Sequence, residues 1–220
     1  MSALKWSESG TRNYEMGVSK GVLYPMSEST GTYDTGVAWN GLINVTDSPE
    51  GAEATDLYAD NIKYASFRSA EKFKWSLESY AYPTEFAECD GTVSPVPGLY
   101  VGQQDRKPFG FCYRTEKGND TMTNTDDGYI LHLIYNSTAS PTEKSHDTVN
   151  DSPDAATFSW DCDTTPVAVT GMKPTSEITV DSTVIGAAKM KKLEDKLYGS
   201  TSSAAMLPSP DEVIALLKTA

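Results

Sequence analysis

The chain offers few residues whose type and spacing could perform covalent chemistry. Gly17-Val-Ser19-Lys-Gly21 matches the G-x-S-x-G pattern of a hydrolase nucleophile elbow, in which a sharp turn from strand to helix presents the serine. Residues 22–25, VLYP, follow here and do not form a helical pattern. A serine nucleophile also needs a base, and the two histidines lie in an apolar stretch (His132) and a polar one (His146). We therefore predict that the protein is not a serine hydrolase.

Sulfur and metal chemistry have equally little support. The three cysteines, Cys89, Cys112 and Cys162, are far apart and odd in number, which argues against a disulfide framework and for folding in a reducing compartment. Each lies in an apolar or strand-like context, so we expect small buried side chains. No C-x-x-C, H-E-x-x-H or P-loop pattern occurs, so zinc and nucleotide sites lack support.

Two groups of acidic residues could hold a hard cation loosely. They lack the glycine and terminal glutamate of an EF-hand loop, so solvated acidic loops are the better interpretation. The residues are Asp126, Asp127, Asp147, Asp151 and Asp154. We predict no catalytic residue, no metal site and no cofactor, and hence no enzyme.

The formal net charge of -13 excludes conventional DNA binding, because affinity for phosphates comes mostly from clustered lysine and arginine. No apolar run approaches the roughly 20 residues that span a bilayer. The first 17 residues lack the apolar region of a signal peptide, so secretory export is not expected.

The stretch from Leu57 to Gly91 organises the rest of the chain. Residues 72–79, KFKWSLES, alternate between apolar and charged side chains, which predicts a half-buried strand with Trp75 facing the core. Residues 58–67 predict its antiparallel partner, with residues 68–71 as the turn. Pro83-Thr84-Glu85 begins a short helix whose core anchor is Phe86.

Further strands are predicted where apolar and polar residues alternate or where apolar runs are short. Residues 129–135 are apolar nearly throughout, so we expect that strand to be covered on both faces. Asn40-Gly41 predicts a bulge or a tight turn within its strand. The predicted strands are residues 17–25, 37–45, 109–113, 129–135, 156–162, 166–169 and 178–184, and the predicted loops are residues 46–55, 118–128 and 136–155.

The hydrophobic period changes after residue 186. Met190, Leu193 and Leu197 fall at helical spacing before Gly199, and Ser209-Pro-Asp-Glu212 forms a capping box for a second helix with Ile214 and Leu217 on its apolar side. The sequence thus predicts a mainly β fold, an antiparallel sandwich or barrel with a short flanking helix and a C-terminal helical appendage. Residues 1–185 would form the β-domain and residues 186–220 the helical extension.

Four segments resemble the major tail (tail tube) proteins of long-tailed, siphovirus-type bacteriophages: YADNIKY, KFKWSLES, YPTEFAE and KPFGFCYRTEKGND. The resemblance covers most of the chain. It implies a β-sandwich with a helix on its flank, hexameric rings stacked into a tube, and a lumen for phage DNA. The acidic charge suits a lumen that passes DNA without specific binding, although solubility alone explains it equally well.

The resemblance also implies partners and a location. The partners are further copies of the chain in ring and stacking contacts, the tape measure protein and other tail proteins, with no membrane. The location is the virion tail, assembled in the cytoplasm of the host bacterium. Because the acidic loop at residues 46–55 would reach a neighbouring subunit, the interface candidates are Glu50, Glu53, Asp56 and Asp60. The long loop at residues 136–155 would become ordered against a neighbour.

A β-sandwich module that binds carbohydrate or a receptor is the alternative. It would use exposed aromatic side chains such as Trp6, Tyr33 or Trp39 as a stacking platform. Such a module stays a monomer or a small closed oligomer, whereas a tail protein forms rings or tubes at high concentration.

Overall fold

The computed structural model of the chain describes residues 4–27, 30–121, 128–146, 148 and 155–218. Antiparallel strands dominate these residues, which confirms the predicted mainly β fold. The strands are β1 (Asn13–Pro25), β2 (Val37–Trp39), β3 (Leu42–Asp47), β4 (Ala54–Ala59), β5 (Ile62–Arg68), β6 (Lys74–Ser79), β7 (Val93–Val96), β8 (Leu99–Val101), β9 (Phe109–Asn119), β10 (Tyr129–Ser140), β11 (Phe158–Thr164) and β12 (Glu177–Asp181). The helices are a 3-10 helix (Thr84–Ala87), α1 (Ser182–Ile185), α2 (Ala187–Leu197) and α3 (Pro210–Lys218).

One large sheet has the strand order β2-β1-β9-β10-β11-β6-β3, and β12 pairs with β10 beside this path. Strands β1 and β3 lie far apart in that order but contact each other. Gly21 permits the approach, because a Cβ there would lie 2.6 Å from Cδ1 of Leu42 on β3. The sheet therefore curls until its two ends meet, as in an open barrel.

The inner face of the curled sheet carries an aromatic core. Trp39 and Phe86 have ring centroids 4.7 Å apart, and Trp75 stacks on Phe111 at 5.2 Å. Each buried aromatic side chain stabilises the fold by about 1.5–3 kcal/mol relative to an exposed one. Further buried members of this core are Leu23, Leu77, Phe109, Tyr113, Ile134, Trp160 and Cys162.

The outer face of the same strands packs against the C-terminal helices. Met190, Leu193 and Leu197 of α2 are fully buried against it, and the Tyr24 hydroxyl donates a hydrogen bond to the Leu197 carbonyl at 2.7 Å. The sheet side of this second core includes Val22, Cys112, Leu131, Leu133, Tyr135 and Val180. The helices at residues 186–218 therefore share a core with the sheet, and the proposed boundary at residue 186 stays a prediction.

Several predicted elements are confirmed. Trp75 and Leu77 of β6 are buried with Ser79, and Phe86 in the 3-10 helix is fully buried. Strand β10 is covered on both faces, as its apolar run predicts. The capping box of α3 is present, since Ser209 N donates to Oε2 of Glu212 at 2.9 Å and Glu212 N donates to Oγ of Ser209 at 3.3 Å.

The predicted partner of β6 is wrong. Residues 58–67 do not form one strand, because Asp60 and Asn61 have positive φ values of 51° and 62° and turn the chain between β4 and β5. Asparagine and aspartate tolerate this left-handed conformation better than most residues. Strand β6 pairs instead with β3 and β11.

Other boundaries also differ from the sequence prediction. Residues 37–45 form two strands, because Gly41 at a φ of 82° separates β2 on β1 from β3 on β6. Strand β10 extends to Ser140, into the predicted loop at residues 136–155. Residues 166–169 contribute an isolated bridge at Val167, and β12 ends at Asp181, whose carboxylate caps α1. In α3, Val213 is fully buried, and Leu217 of the predicted apolar side packs partly buried against the same core.

Candidate interface

The β4–β5 hairpin is a two-stranded sheet separate from the large one. Thr55 lies opposite Phe67, Leu57 opposite Ala65 and Ala59 opposite Ile62. Opposed residues of an antiparallel pair point to the same side, so these six residues form one mostly apolar face. Leu57, Ile62 and Phe67 are 47%, 64% and 60% exposed. We call this surface the hairpin face.

The opposite side of the hairpin combines polar residues with Tyr58, which lies opposite Lys63 and is 70% exposed. Asp56 lies opposite Ser66, and the Lys63 ammonium is 2.7 Å from Oδ1 of Asp56. The hydrogen bond from Lys63 lowers the pKa of the Asp56 carboxyl. The hairpin therefore exposes apolar side chains on both sides, and none of the described residues forms a core beneath the hairpin face.

The base of the hairpin is tied to the large sheet. Glu50 and Lys72 exchange backbone hydrogen bonds of 2.8 and 2.7 Å, and the Lys74 ammonium lies 3.0 Å from Oε2 of Glu50. Gly51 has a φ of 90°, and a Cβ there would lie 2.5 Å from the Ala70 carbonyl oxygen. The base thus has a defined geometry. A two-stranded hairpin alone is marginally stable in water. An exposed apolar patch on such a hairpin is typical of an interaction site.

All four predicted interface residues lie on this hairpin or at its base. Glu50 and Asp56 form ion pairs within the chain, Glu53 offers its carbonyl to Ser69 N at 3.3 Å, and Asp60 occupies the turn. Their contact with another molecule stays a prediction. The hairpin face itself was not predicted from the sequence, although the Asp-Asn turn between two β-rich runs is the signal that could have indicated it.

A cleft of about 680 Å³ opens beside a second small hairpin, β7–β8. The 3-10 helix, β2 and this hairpin border it. Among its lining residues, Val37, Val93 and Tyr100 are apolar, and Asp34, Glu85 and Glu88 are acidic. Tyr100 is 58% exposed. We call this surface the acidic cleft.

The three aromatic side chains considered for a carbohydrate or receptor module differ in exposure. Trp39 is buried in the inner core and 3% exposed. The Tyr33 hydroxyl accepts a hydrogen bond from Asn136 N at 2.9 Å. Burial raises the pKa of Tyr33 to about 12. Trp6 is 78% exposed. The expectation that Trp39 is exposed for stacking is therefore wrong, whereas the expected exposure of Trp6 is confirmed.

Ser19 and His132 do not form a catalytic pair. Ser19 lies opposite Arg114, which lies opposite Leu131, so Ser19 and His132 occupy opposite faces of the sheet. His132 stacks on Tyr113 at 4.4 Å, with Oε1 of Glu15 3.3 Å from its Nε2. His132 is only 8% exposed, so we interpret it as a packed side chain of the sheet.

The three cysteines are buried, and their thiols have low reactivity. Burial raises the pKa of the Cys89 and Cys112 thiols to about 12 and also raises that of Cys162. At neutral pH these groups stay thiols, which are poor nucleophiles and poor metal ligands.

Within the described residues, no group of three or more histidine, cysteine, aspartate or glutamate side chains could hold a metal ion. The five acidic residues considered as loose cation ligands, Asp126, Asp127, Asp147, Asp151 and Asp154, lie outside the described residues. Across the described ranges, no helix has both the length and the apolar character needed to cross a membrane.

Comparisons with known proteins give distant similarities. No protein-family model and no curated protein matches the chain. A chain from the sheath–tube complex of an extracellular contractile injection system (PVC) in its extended state is 13% identical, with a TM-score of 0.30, covering 73% of this chain and 88% of that one. A chain from the sheath/tube terminator of such a system is 12% identical, with a TM-score of 0.28, covering 81% and 99%.

Proposed function

We propose that this protein is a structural subunit that polymerises head to tail into a tube, as a tail tube protein does. The observation that carries the proposal is the hairpin face, whose Leu57, Ile62 and Phe67 lie exposed on a hairpin with no core of its own. Burying three such side chains against another copy is worth several kcal/mol by the usual estimate of about 1.5–3 kcal/mol for each.

Open sheet edges support the same function. Strand β2 covers only Gly21 to Leu23 of β1, so β1 from Asn13 to Lys20 pairs with β9 on one side among the described residues. An unpaired edge offers backbone donors and acceptors to another chain. Copies placed side by side would complete a shared inner barrel, and the resemblance to tail tube proteins suggests hexameric rings.

The chemistry of the chain agrees with a passive conduit. The net charge of -13 repels DNA, which suits a lumen that a polyanion must pass without adhering. The partners we propose are further copies of the chain, a tape measure protein and other tail proteins. The proposed location is the virion tail after assembly in the host cytoplasm.

Negative-stain electron microscopy and sedimentation velocity over a concentration series test this function. We expect hollow fibres or stacked rings for the wild-type chain and monomers for the triple variant Leu57→Ser/Ile62→Ser/Phe67→Ser. The matched control is Met172→Ser/Val184→Ser, which removes apolar side chains that are 64% and 78% exposed elsewhere on the subunit. This control should assemble normally. A wild-type chain that stays monomeric at millimolar concentration would refute the proposal.

A further inference from the structure

The curled sheet has a seam along which its two margins contact each other without pairing. Strand β1 pairs with β2 and β9, and β3 pairs with β6, whereas β1 and β3 are only in contact. Val18 of β1 and Val45 of β3 both pack, partly buried, against the inner core. Because no backbone ladder joins β1 to β3 in the described part of the chain, side chains decide how firmly this seam closes.

Two carboxylates point into the curled sheet from strands near the seam. Residues that lie opposite each other in an antiparallel pair share a face. Asp47 of β3 lies opposite Trp75, and Glu177 of β12 lies opposite Ile134. Trp75 and Ile134 belong to the inner core, so both carboxylates are on the inner face.

His132 of β10 lies between Glu177 and a third carboxylate. Oε1 of Glu15 on β1 is 3.3 Å from Nε2 of His132, and Oε1 of Glu177 is 3.5 Å from Nδ1. The Nδ1 atom makes no hydrogen bond among the described residues, and the imidazole side chain is 10% exposed. One buried imidazole therefore connects carboxylates of two different strands.

Asp47 is close enough to this group to respond to its charges. Burial raises the pKa of the Asp47 carboxyl, the charges of Glu177 and Glu15 raise it further, and His132 opposes them. The Tyr113 hydroxyl lies among the same three carboxylates, since burial and their charges raise its pKa as well. Asp47, Glu15 and Glu177 therefore form one electrostatic cluster around His132.

No lysine or arginine forms an ion pair with any of these three carboxylates in the ranges that the structure describes. Lys117 shares the inner face of β9, but its ammonium pairs with Asp181 at the end of β12. Lys74 lies on the other face of β6, where it pairs with Glu50 and Asp163. The cluster thus holds like charges together, which disfavours their ionised forms.

We infer that this cluster is a proton-sensitive clasp across the seam between β1 and β3. Loss of the Asp47 proton to water places a further negative charge beside Glu15 and Glu177 and pushes β3 away from β1. Uptake of the proton removes this repulsion and lets the two margins close. The clasp belongs to the single subunit and does not depend on the proposed assembly.

The direction of the pH effect follows from the raised pKa of Asp47. The folded chain holds this proton more tightly than the unfolded chain does. The resulting stabilisation is complete below the ordinary aspartate pKa of about 4 and is lost as the pH rises through the higher value of the folded chain.

Urea denaturation between about pH 4 and 7.5 tests the clasp. Asp47→Asn keeps the shape of the protonated side chain and cannot ionise, so its urea midpoint should exceed that of wild type at the upper end of this range. The two midpoints should converge at the lower end. Taking the difference between the two proteins removes the titration of the other carboxylates. The matched control is Asp34→Asn, at an exposed position, and its difference from wild type should not vary with pH.

A double-mutant cycle identifies the neighbour responsible. Glu177 is the charged group with the largest effect on Asp47. In the Glu177→Gln background, Asp47→Asn should therefore raise the midpoint at the upper end of the pH range by less than it does in wild type. Equal effects in both backgrounds would contradict a cluster that includes Glu177.

Hydrogen exchange shows whether the effect is local to the seam. After correction for the intrinsic exchange rate, the amides of β3 should lose protection as the pH rises, relative to the amides of α2 on the outer face. An equal change in β3 and α2 would overturn the inference. A difference between wild type and Asp47→Asn that does not vary with pH would overturn it too.

Discussion

Phe86 and Phe67 carry the same side chain in opposite environments. Phe86 is fully buried, with its ring centroid 5.1 Å from that of Trp160, whereas Phe67 is 60% exposed on the hairpin face. A buried aromatic contributes to stability through packing and transfer from water, and an exposed one contributes little until a partner covers it. The first stabilises the fold, and the second is a side chain that the proposed assembly would cover.

Replacing each phenylalanine by alanine separates these roles. Phe86→Ala should lower the free energy of unfolding by about 3–5 kcal/mol because it leaves a cavity in the inner core. Phe67→Ala should change it by less than about 0.5 kcal/mol while weakening assembly. Denaturation followed by tryptophan fluorescence measures the first quantity. An equal loss of stability in Phe67→Ala would show that the hairpin packs against its own subunit.

Buried tyrosines predict an alkaline limit to stability. Burial raises the pKa of Tyr24, Tyr113, Tyr135 and Tyr198 well above the ordinary value near 10. The folded state therefore holds these protons more tightly than the unfolded state, and the free energy of unfolding should fall as the pH rises above about 10.

Phenolate absorbance and near-ultraviolet circular dichroism between about pH 8 and 12 measure this effect. We expect the absorbance of the buried tyrosines to develop together with the loss of dichroism. Tyr135→Phe removes one linked group and should make the decline less steep. Full tyrosine ionisation in a still folded chain would contradict the assignment.

At the scale of elements, the side chain–backbone hydrogen bonds at the start of α3 contribute measurably to stability. The Ser209 hydroxyl satisfies a backbone donor at the start of α3, where no helical carbonyl is available. Val213 one turn later is 1% exposed and ties the helix to the outer core.

Ser209→Ala should therefore lower the free energy of unfolding by about 1 kcal/mol. Ser202→Ala, at an exposed position outside the helices, is the control and should lie within about 0.5 kcal/mol of wild type. Guanidinium denaturation monitored by circular dichroism measures both. Equal stability of the two variants would show that α3 does not contribute to the cooperative unit.

At the scale of the whole molecule, charge governs contact with nucleic acid. A chain with a net charge of -13 should not bind duplex DNA, because counterion release requires clustered cations. Fluorescence anisotropy with labelled duplex at about 50 and 150 mM salt should show no binding at micromolar protein, for subunits and assemblies alike. Salt-sensitive binding would instead reveal a cationic surface created by assembly and would contradict a repelling lumen.

Much of the element content follows from the sequence because burial imposes a local period. Alternation in residues 72–79 and 109–113 marks the inward faces of β6 and β9, and spacing of three and four marks α2. The capping box marks the start of α3 because its two side chains bond backbone donors that have no helical partner. These signals depend on near neighbours and need no knowledge of the rest of the fold.

Strand pairing depended on the tertiary structure. Alternation shows which side of a strand is buried but not which strand lies beside it. The buried face of β6 was therefore predicted correctly, whereas its predicted neighbour was wrong. The curl that brings β1 to β3 joins residues far apart in the chain. The sequence alone therefore determined a β-rich fold, and only the tertiary structure decided that Leu57, Ile62 and Phe67 stay exposed on one hairpin face, because exposure is set by the packing of the whole chain.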